Sequence, residues 1–195
     1  MKPIEAAEIQ SLDDYEISRP SLRSRIFAVK GARRVHVGDA LTLLFENRET
    51  LRYQIQEMLR VERIVDPKAI RHEIATYNEL LAGPDELSAT LLIEYADAEE
   101  RDRMLRRLLG LEDHLSMTVD GHPPCRAVFD ARQIATDRIS SVHYVKFPLG
   151  AGAAAALAGG EAATIAVDHP QLQATARLSD EVRAALVADL AEAAA

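Results

Sequence analysis

The chain has 195 residues, 48% of them apolar and 28% charged, an ordinary balance for one domain with its own core. Its formal charge of −8 argues against a general nucleic-acid binder, and its single cysteine excludes an internal disulfide or a four-cysteine cluster. No apolar run reaches the roughly 18 residues that a membrane helix needs, and the acidic opening MKPIEAAEIQSLDDYE lacks the apolar stretch of a signal peptide, so a cytoplasmic protein without membrane insertion is expected.

The charge is uneven. Residues 19–36 hold Arg19, Arg23, Arg25, Lys30, Arg33 and Arg34 and no acid, so a +6 segment sits in a chain whose remainder is −14. Such a patch can meet an acidic partner or phosphate, or it can pair with the chain's own carboxylates.

In chain order, residues 1–18 read as an acidic lead-in with a short helix over LDDYE, broken at Arg19-Pro20. SRIFAVK (24–30) and RVHV (34–37) read as strands, followed by a Gly38-Asp39 turn and the strand LTLLFE (41–46) with Leu41, Leu43 and Phe45 on one face. A helix over about 48–64 has Leu51, Ile55, Met58 and Leu59 in one stripe, with Glu62 in the middle of it. A second helix is punctuated by Asp66 as N-cap, Pro67 at the first position, Gly83 in the left-handed cap position and Pro84 as a stop. Its apolar stripe is Ile70, Ile74, Tyr77 and Leu81.

LSATLLIEY (87–95) alternates, with Leu87, Ala89, Leu91, Ile93 and Tyr95 on one face and Ser88, Thr90 and Glu94 on the other. Asp97 and Glu100 have capping-box spacing for a third helix ending at Gly110. Strands at 114–119 and 124–129 flank the turn Asp120-Gly121-His122-Pro123, and another covers 138–147. The Ala/Gly stretch 148–163 reads as a loop with one turn of helix. Strands at 164–168 and 171–178 meet at Asp168-His169-Pro170, and a tail helix runs over about 179–194. The order predicts an α+β fold over a single domain, 1–195. About four helices pack on a mostly antiparallel sheet that is free to curl toward a barrel.

No Gly-rich phosphate loop, GxSxG elbow, HExxH or paired CxxC is present. The first central helix concentrates directional polar groups: Arg48, Arg52, Gln56, Glu57 and Arg60 would suit an anionic or peptide partner and form a docking surface. Glu62 on an apolar stripe requires an arginine partner or a raised pKa. His143 shares a strand face with Ile139, Val145 and Phe147, as a hydrogen-bonded core histidine or as a pocket group. One reading makes the chain a non-enzymatic accessory protein. The alternative is a small enzyme or ligand- or metal-binding protein in which Glu62, Tyr77 and His143 converge on a pocket between the central helices and the sheet. His122 and His169 sit in Asp/Pro turns, as turn residues or as ligands of a metal site built from turns. Cys125, alone after two prolines, reads as inert, and no metal or cofactor is assigned.

FENRETLRYQIQEMLRVERI, TYNELLAGPDELSATLLIEY, RISSVHYVKFPL and VDHP closely resemble a bacterial family catalogued as domain of unknown function thirty-five-oh-one, from roughly Leu12 to Leu178. The Ala/Gly stretch and the Ala-rich tail look particular to this member, and Gln is the more usual family residue at His143. The resemblance implies a genomic setting, beside a rubrerythrin-like protein and an iron–sulfur oxidoreductase of the heterodisulfide-reductase type. A role as a partner in redox or peroxide-stress handling follows as an expectation.

Overall fold

A computed structural model describes residues 1–133 and 137–194. The N-terminal third departs most from expectation. The expected short helix over LDDYE, the break and the first strand are a single helix, α1 (Leu12–Gly31), with Pro20 inside it. Ser11 caps it by accepting from the Asp14 N–H at 3.2 Å. An interior proline costs a helix about 3 kcal/mol through its missing donor and a clash with the preceding turn. Here the first central helix grips α1 on both sides of Pro20, its Glu57 holding Arg19 before the proline and its Glu49 holding Arg25 after it, so the helix continues. The stretch 24–30 alternates on paper, but Ile26 is buried and Phe27 points to solvent.

Strands β1 (Arg34–Val37) and β2 (Leu41–Glu46) pair antiparallel. Gly38 turns between them with φ +64, and a Cβ there would meet the Ala174 Cβ at 3.0 Å. Helix α2 (Arg48–Val61) is capped reciprocally by Asn47 and Thr50. Helix α3 (Pro67–Asn78) starts as expected, with Asp66 accepting from Lys68 at 3.0 Å and Ala69 at 2.9 Å. It ends early because the Asn78 amide is drawn onto the N-terminal segment, accepting from the Ile4 N–H at 2.8 Å and donating to its carbonyl at 3.0 Å. Gly83 is therefore not the left-handed cap; Asp85 takes that conformation, with φ 55.

Next come β3 (Glu86–Ile93), α4 (Ala98–Arg107) and β4 (Leu115–Val119), with Asp97 capping α4 through the Glu100 N–H at 2.7 Å. The expected strand at 124–129 divides. β5 (Cys125–Arg126) pairs with β4, β6 (Val128–Phe129) pairs with β7 (Val142–Pro148), and Ala127 between them carries the chain from one sheet to the other. The Ala/Gly stretch is a helix, α5 (Gly150–Gly159), not a loop. Alanine has the best helix propensity, Ala153, Ala154 and Leu157 are buried, and Gly160 closes the helix in the left-handed region. β8 (Ala163–His169), β9 (Leu172–Arg177) and α6 (Asp180–Ala194) complete the described chain.

The fold is α+β with two antiparallel sheets, ordered β1-β2-β3-β7-β6 and β5-β4-β8-β9, and neither closes into a barrel. Between the sheets lies the main core, where Phe45 and Phe147 ring centroids are 6.0 Å apart. A second core forms where α2, α3 and Ile4 cover the far side of the five-stranded sheet. Asp189 of α6 is buried and takes two hydrogen bonds from Arg33, at 2.8 and 3.1 Å, and one from Asn47 at 3.2 Å. The tail helix is thereby tied to the start of β1 and to the cap of α2.

Candidate functional site

The polar face of α2 turns inward, onto α1 and the N-terminal segment. Gln56 is buried and reads the Gln10 backbone from both sides, accepting from its N–H at 3.0 Å and donating to its carbonyl at 3.1 Å. Arg48 donates to the Lys2 carbonyl at 3.0 Å and the Pro3 carbonyl at 3.3 Å, and pairs with Glu8. Glu57 accepts from the Tyr15 hydroxyl at 2.5 Å and from the Arg19 guanidinium at 2.7 and 3.0 Å. Arg60 bridges Glu57 at 3.6 Å and Glu16 at 3.5 Å.

Burial disfavours the Glu57 carboxylate, but the Arg19 and Tyr15 hydrogen bonds outweigh it and hold the carboxyl at about 2. Burial and then the bond to Glu57 push the Tyr15 phenol up. The basic segment is largely consumed in the same way. Arg19, Arg25 and Arg33 pair with Glu57, Glu49 and Asp189, and Lys30 lies 5.8 Å from the Tyr53 ring centroid.

Arg52 differs from its neighbours. Among the described residues it has no carboxylate at ion-pair distance and no hydrogen-bond partner. It lines a cavity of about 160 Å³ between α1 and α2, with Tyr15, Leu22, Ile26, Tyr53 and Gln56.

Glu62, Tyr77 and His143 do not converge. Helix α2 ends at Val61, so Glu62 is its exposed C-cap and not a member of the apolar stripe; Arg63 then turns the chain away with φ 53. Tyr77 on α3 faces Tyr144 of β7, beside a cavity of about 220 Å³ that Glu73, Thr76, Asp130, Arg132 and Gln133 also line. His143 precedes Tyr144 on the strand, and successive strand residues point to opposite faces, so it lies on the other side of the sheet. It is 1% exposed and meets Phe129 edge-on, with ring centroids 5.4 Å apart. Among the described residues neither ring nitrogen has a hydrogen-bond partner. Burial pushes the imidazole pKa down; the Ser140 backbone and Glu112 lie near enough to pull weakly the other way, but without hydrogen-bond geometry to the ring.

Beside Tyr144 lies a group that sequence reading passed over. Glu46 is 3% exposed and accepts from Thr90 at 2.7 Å and from Thr50, with no cation at ion-pair distance among the described residues. Burial and then the Glu46 charge raise the Tyr144 phenol. Burial, then Tyr144 and Glu73, raise Tyr77. The two phenols are therefore neutral, beside a buried carboxylate. The one available signal was alternation, which sets Glu46 opposite Phe45 and in register with Ser88.

Of the turn histidines, His122 closes its turn through its backbone N–H on the Val119 carbonyl at 3.0 Å, and the His169 side chain serves structure. His169 is buried, its Nδ1 accepts from the Gln171 N–H at 3.1 Å and its Nε2 donates to the Leu109 carbonyl at 3.1 Å. That is the neutral tautomer with no lone pair left over for a metal. His114 meets Asp168 at 2.9 Å and stacks edge-on against His169. No group of three or more His, Cys, Asp or Glu gathers with metal-ligand geometry among the described residues. The Cys125 thiol contacts the Pro148 carbonyl at 3.1 Å, and burial pushes its pKa up, away from the reactive thiolate. No described helix is long and apolar enough to cross a membrane.

A crystal structure from Burkholderia pseudomallei K96243, described as a novel protein of unknown function, is similar to this chain. It shares 35% identity with a TM-score of 0.91, over 97% of this chain and 100% of that one. No curated protein matches. The sequence profile of the family described as protein of unknown function (DUF3501) matches residues 3–190, and this chain belongs to that family.

Proposed function

We propose that the protein is a non-enzymatic partner protein in redox or peroxide-stress handling, docking through the outer face of α1. The carrying observation is the composition of that face. Tyr15 and Ile26 are the buried residues of the helix, and opposite their line, at helical spacing, stand Ile17, Pro20, Ser21, Ser24 and Ala28, with Phe27 on the flank. Ile17 is 82% and Phe27 61% exposed. A solvated helix face ordinarily carries charge; this one carries none from Ile17 to Ala28, and its small residues permit close approach of a second helix. Arg23, 5.1 Å from the Phe27 ring centroid, and the exposed part of Arg25 flank it with positive charge, suited to acids at the partner's rim.

The α2 residues Arg48, Gln56, Glu57 and Arg60 then hold the docking helix in place and do not contact the partner. The family resemblance supplies the candidate partners, the rubrerythrin-like protein and the iron–sulfur oxidoreductase encoded beside family members. The test is calorimetric titration with each purified neighbour from the same host. Saturable association that Ile17→Glu weakens by at least about tenfold is expected. No association with either neighbour, or association that Ile17→Glu leaves unchanged, overturns the proposal.

A further inference from the structure

We infer that the cavity between α1 and α2 binds a small organic anion, a monocarboxylate with a short apolar body, with Arg52 as its counter-ion. The charge balance around the cavity carries this. Glu8 and Glu49 stand at its wall, but each has its own arginine, Arg48 and Arg25 respectively. Arg48 provides the main pull on the Glu8 carboxyl and holds it below its usual range; Arg52 contributes only the last and smallest part. Arg52 is therefore a surplus cation, half-buried and without a hydrogen-bond partner among the described residues. A guanidinium presents a planar fork of donors that matches a carboxylate, and a carboxylate seated against it exchanges water on those donors for a charge-assisted pair.

The rest of the cavity selects the ligand. Leu22 and Ile26 of α1 form an apolar wall, and Tyr53 and Gln56 border it from α2. At about 160 Å³ it is close to the roughly 150 Å³ apolar cavity known to accept benzene, so the body of a benzoate- or butyrate-sized molecule fits. A dianion such as phosphate is disfavoured, because the two wall carboxylates lie nearby and one guanidinium cannot balance two charges. Arg52 points to this site independently of the outer face of α1, so failure of the docking reading leaves it standing.

The test uses the full chain and four probes, sodium benzoate, sodium butyrate, benzamide and inorganic phosphate, titrated by calorimetry and by shifts of backbone amide resonances. Saturable one-site binding of benzoate or butyrate is expected, with benzamide and phosphate much weaker. Arg52→Gln should reduce affinity by at least about tenfold without lowering Tm. Leu22→Trp, which fills the cavity from a half-buried position, should abolish binding and keeps the test decisive if Arg52→Gln folds poorly. Absence of saturable carboxylate binding, unchanged affinity in either variant, or phosphate binding more tightly than both carboxylates overturns the inference.

Discussion

The two faces of the five-stranded sheet are both covered, but by different chemistry. Toward the second sheet, Leu43, Phe45, Ala89, Leu91, Val145 and Phe147 form an apolar layer in which His143 is the misfit. Toward α2 and α3, Glu46, Ser88, Thr90, Tyr144 and Lys146 form a polar layer, in register as Glu46–Ser88–Lys146 and Thr90–Tyr144. The apolar layer gains stability from area removed from water, and an unpaired polar atom within it costs stability. The polar layer is held by hydrogen bonds, and each of those matters because its loss leaves a buried partner unsatisfied.

The largest effect that would sharpen this contrast is expected from Phe147→Ala, since Phe147 is fully buried against Phe45. A loss of about 3–5 kcal/mol in urea denaturation is expected. Glu46→Ala should cost about 2 kcal/mol by stranding the Thr90 hydroxyl and leaving Thr50 only its bonds to the Asn47 backbone, and the double variant with Thr90→Ala should cost less than the sum of the single changes. Strict additivity would mean that the polar layer is a set of independent residues.

The α1–α2 seam gives a third measurement. The Glu57 carboxyl lies at about 2 against an ordinary 4.5, so its contribution is complete above 4.5 and is lost as pH falls toward 2. Over that window wild type should lose on the order of 2–3 kcal/mol more than Glu57→Gln, read by denaturation at stepped pH. Equal losses in the two proteins would show that the seam does not depend on this ion pair.

His143→Leu should stabilise by about 1 kcal/mol at neutral pH, because it removes two buried ring nitrogens without partners from the apolar layer. The folded imidazole resists protonation, so wild type should weaken further as pH falls below 6.5 while the leucine variant does not. Destabilisation by leucine at neutral pH would place a required polar contact on the imidazole. Smallest of all, Ile17→Ser on the exposed face of α1 should change stability by no more than about 0.5 kcal/mol. A larger loss would mean that this face supports the fold.

Much of the central block was legible. Asp66-Pro67 and Asp97 start their helices as their side chains dictate, and β2 and β3 alternate as LTLLFE and LSATLLIEY do. The failures share a cause. Alternation in 24–30 was satisfied equally by a helix whose buried positions are eleven residues apart, Tyr15 and Ile26. Alanine and glycine composition in 148–163 reads as a loop, although alanine favours a helix once Leu157 has a core to enter. For the candidate site, Arg52 and Tyr77 are legible as candidates in the sequence, and each lines a cavity. Glu62 lost its buried place because α2 stops one residue before it, a boundary that periodicity does not resolve.

By itself the sequence determined the local features of this protein, its caps, its apolar stripes and the alternating strands, because these depend on neighbours within a few residues. Only the tertiary structure decided what the polar residues do. Whether an arginine on α2 faces solvent, a carboxylate or a cavity depends on α1 lying across it. Whether Glu46 and His143 are buried depends on what covers each face of the sheet. Those contacts join residues 40 to more than 150 positions apart, as Arg48 to Glu8 and Arg33 to Asp189 do, and local spacing carries no record of them.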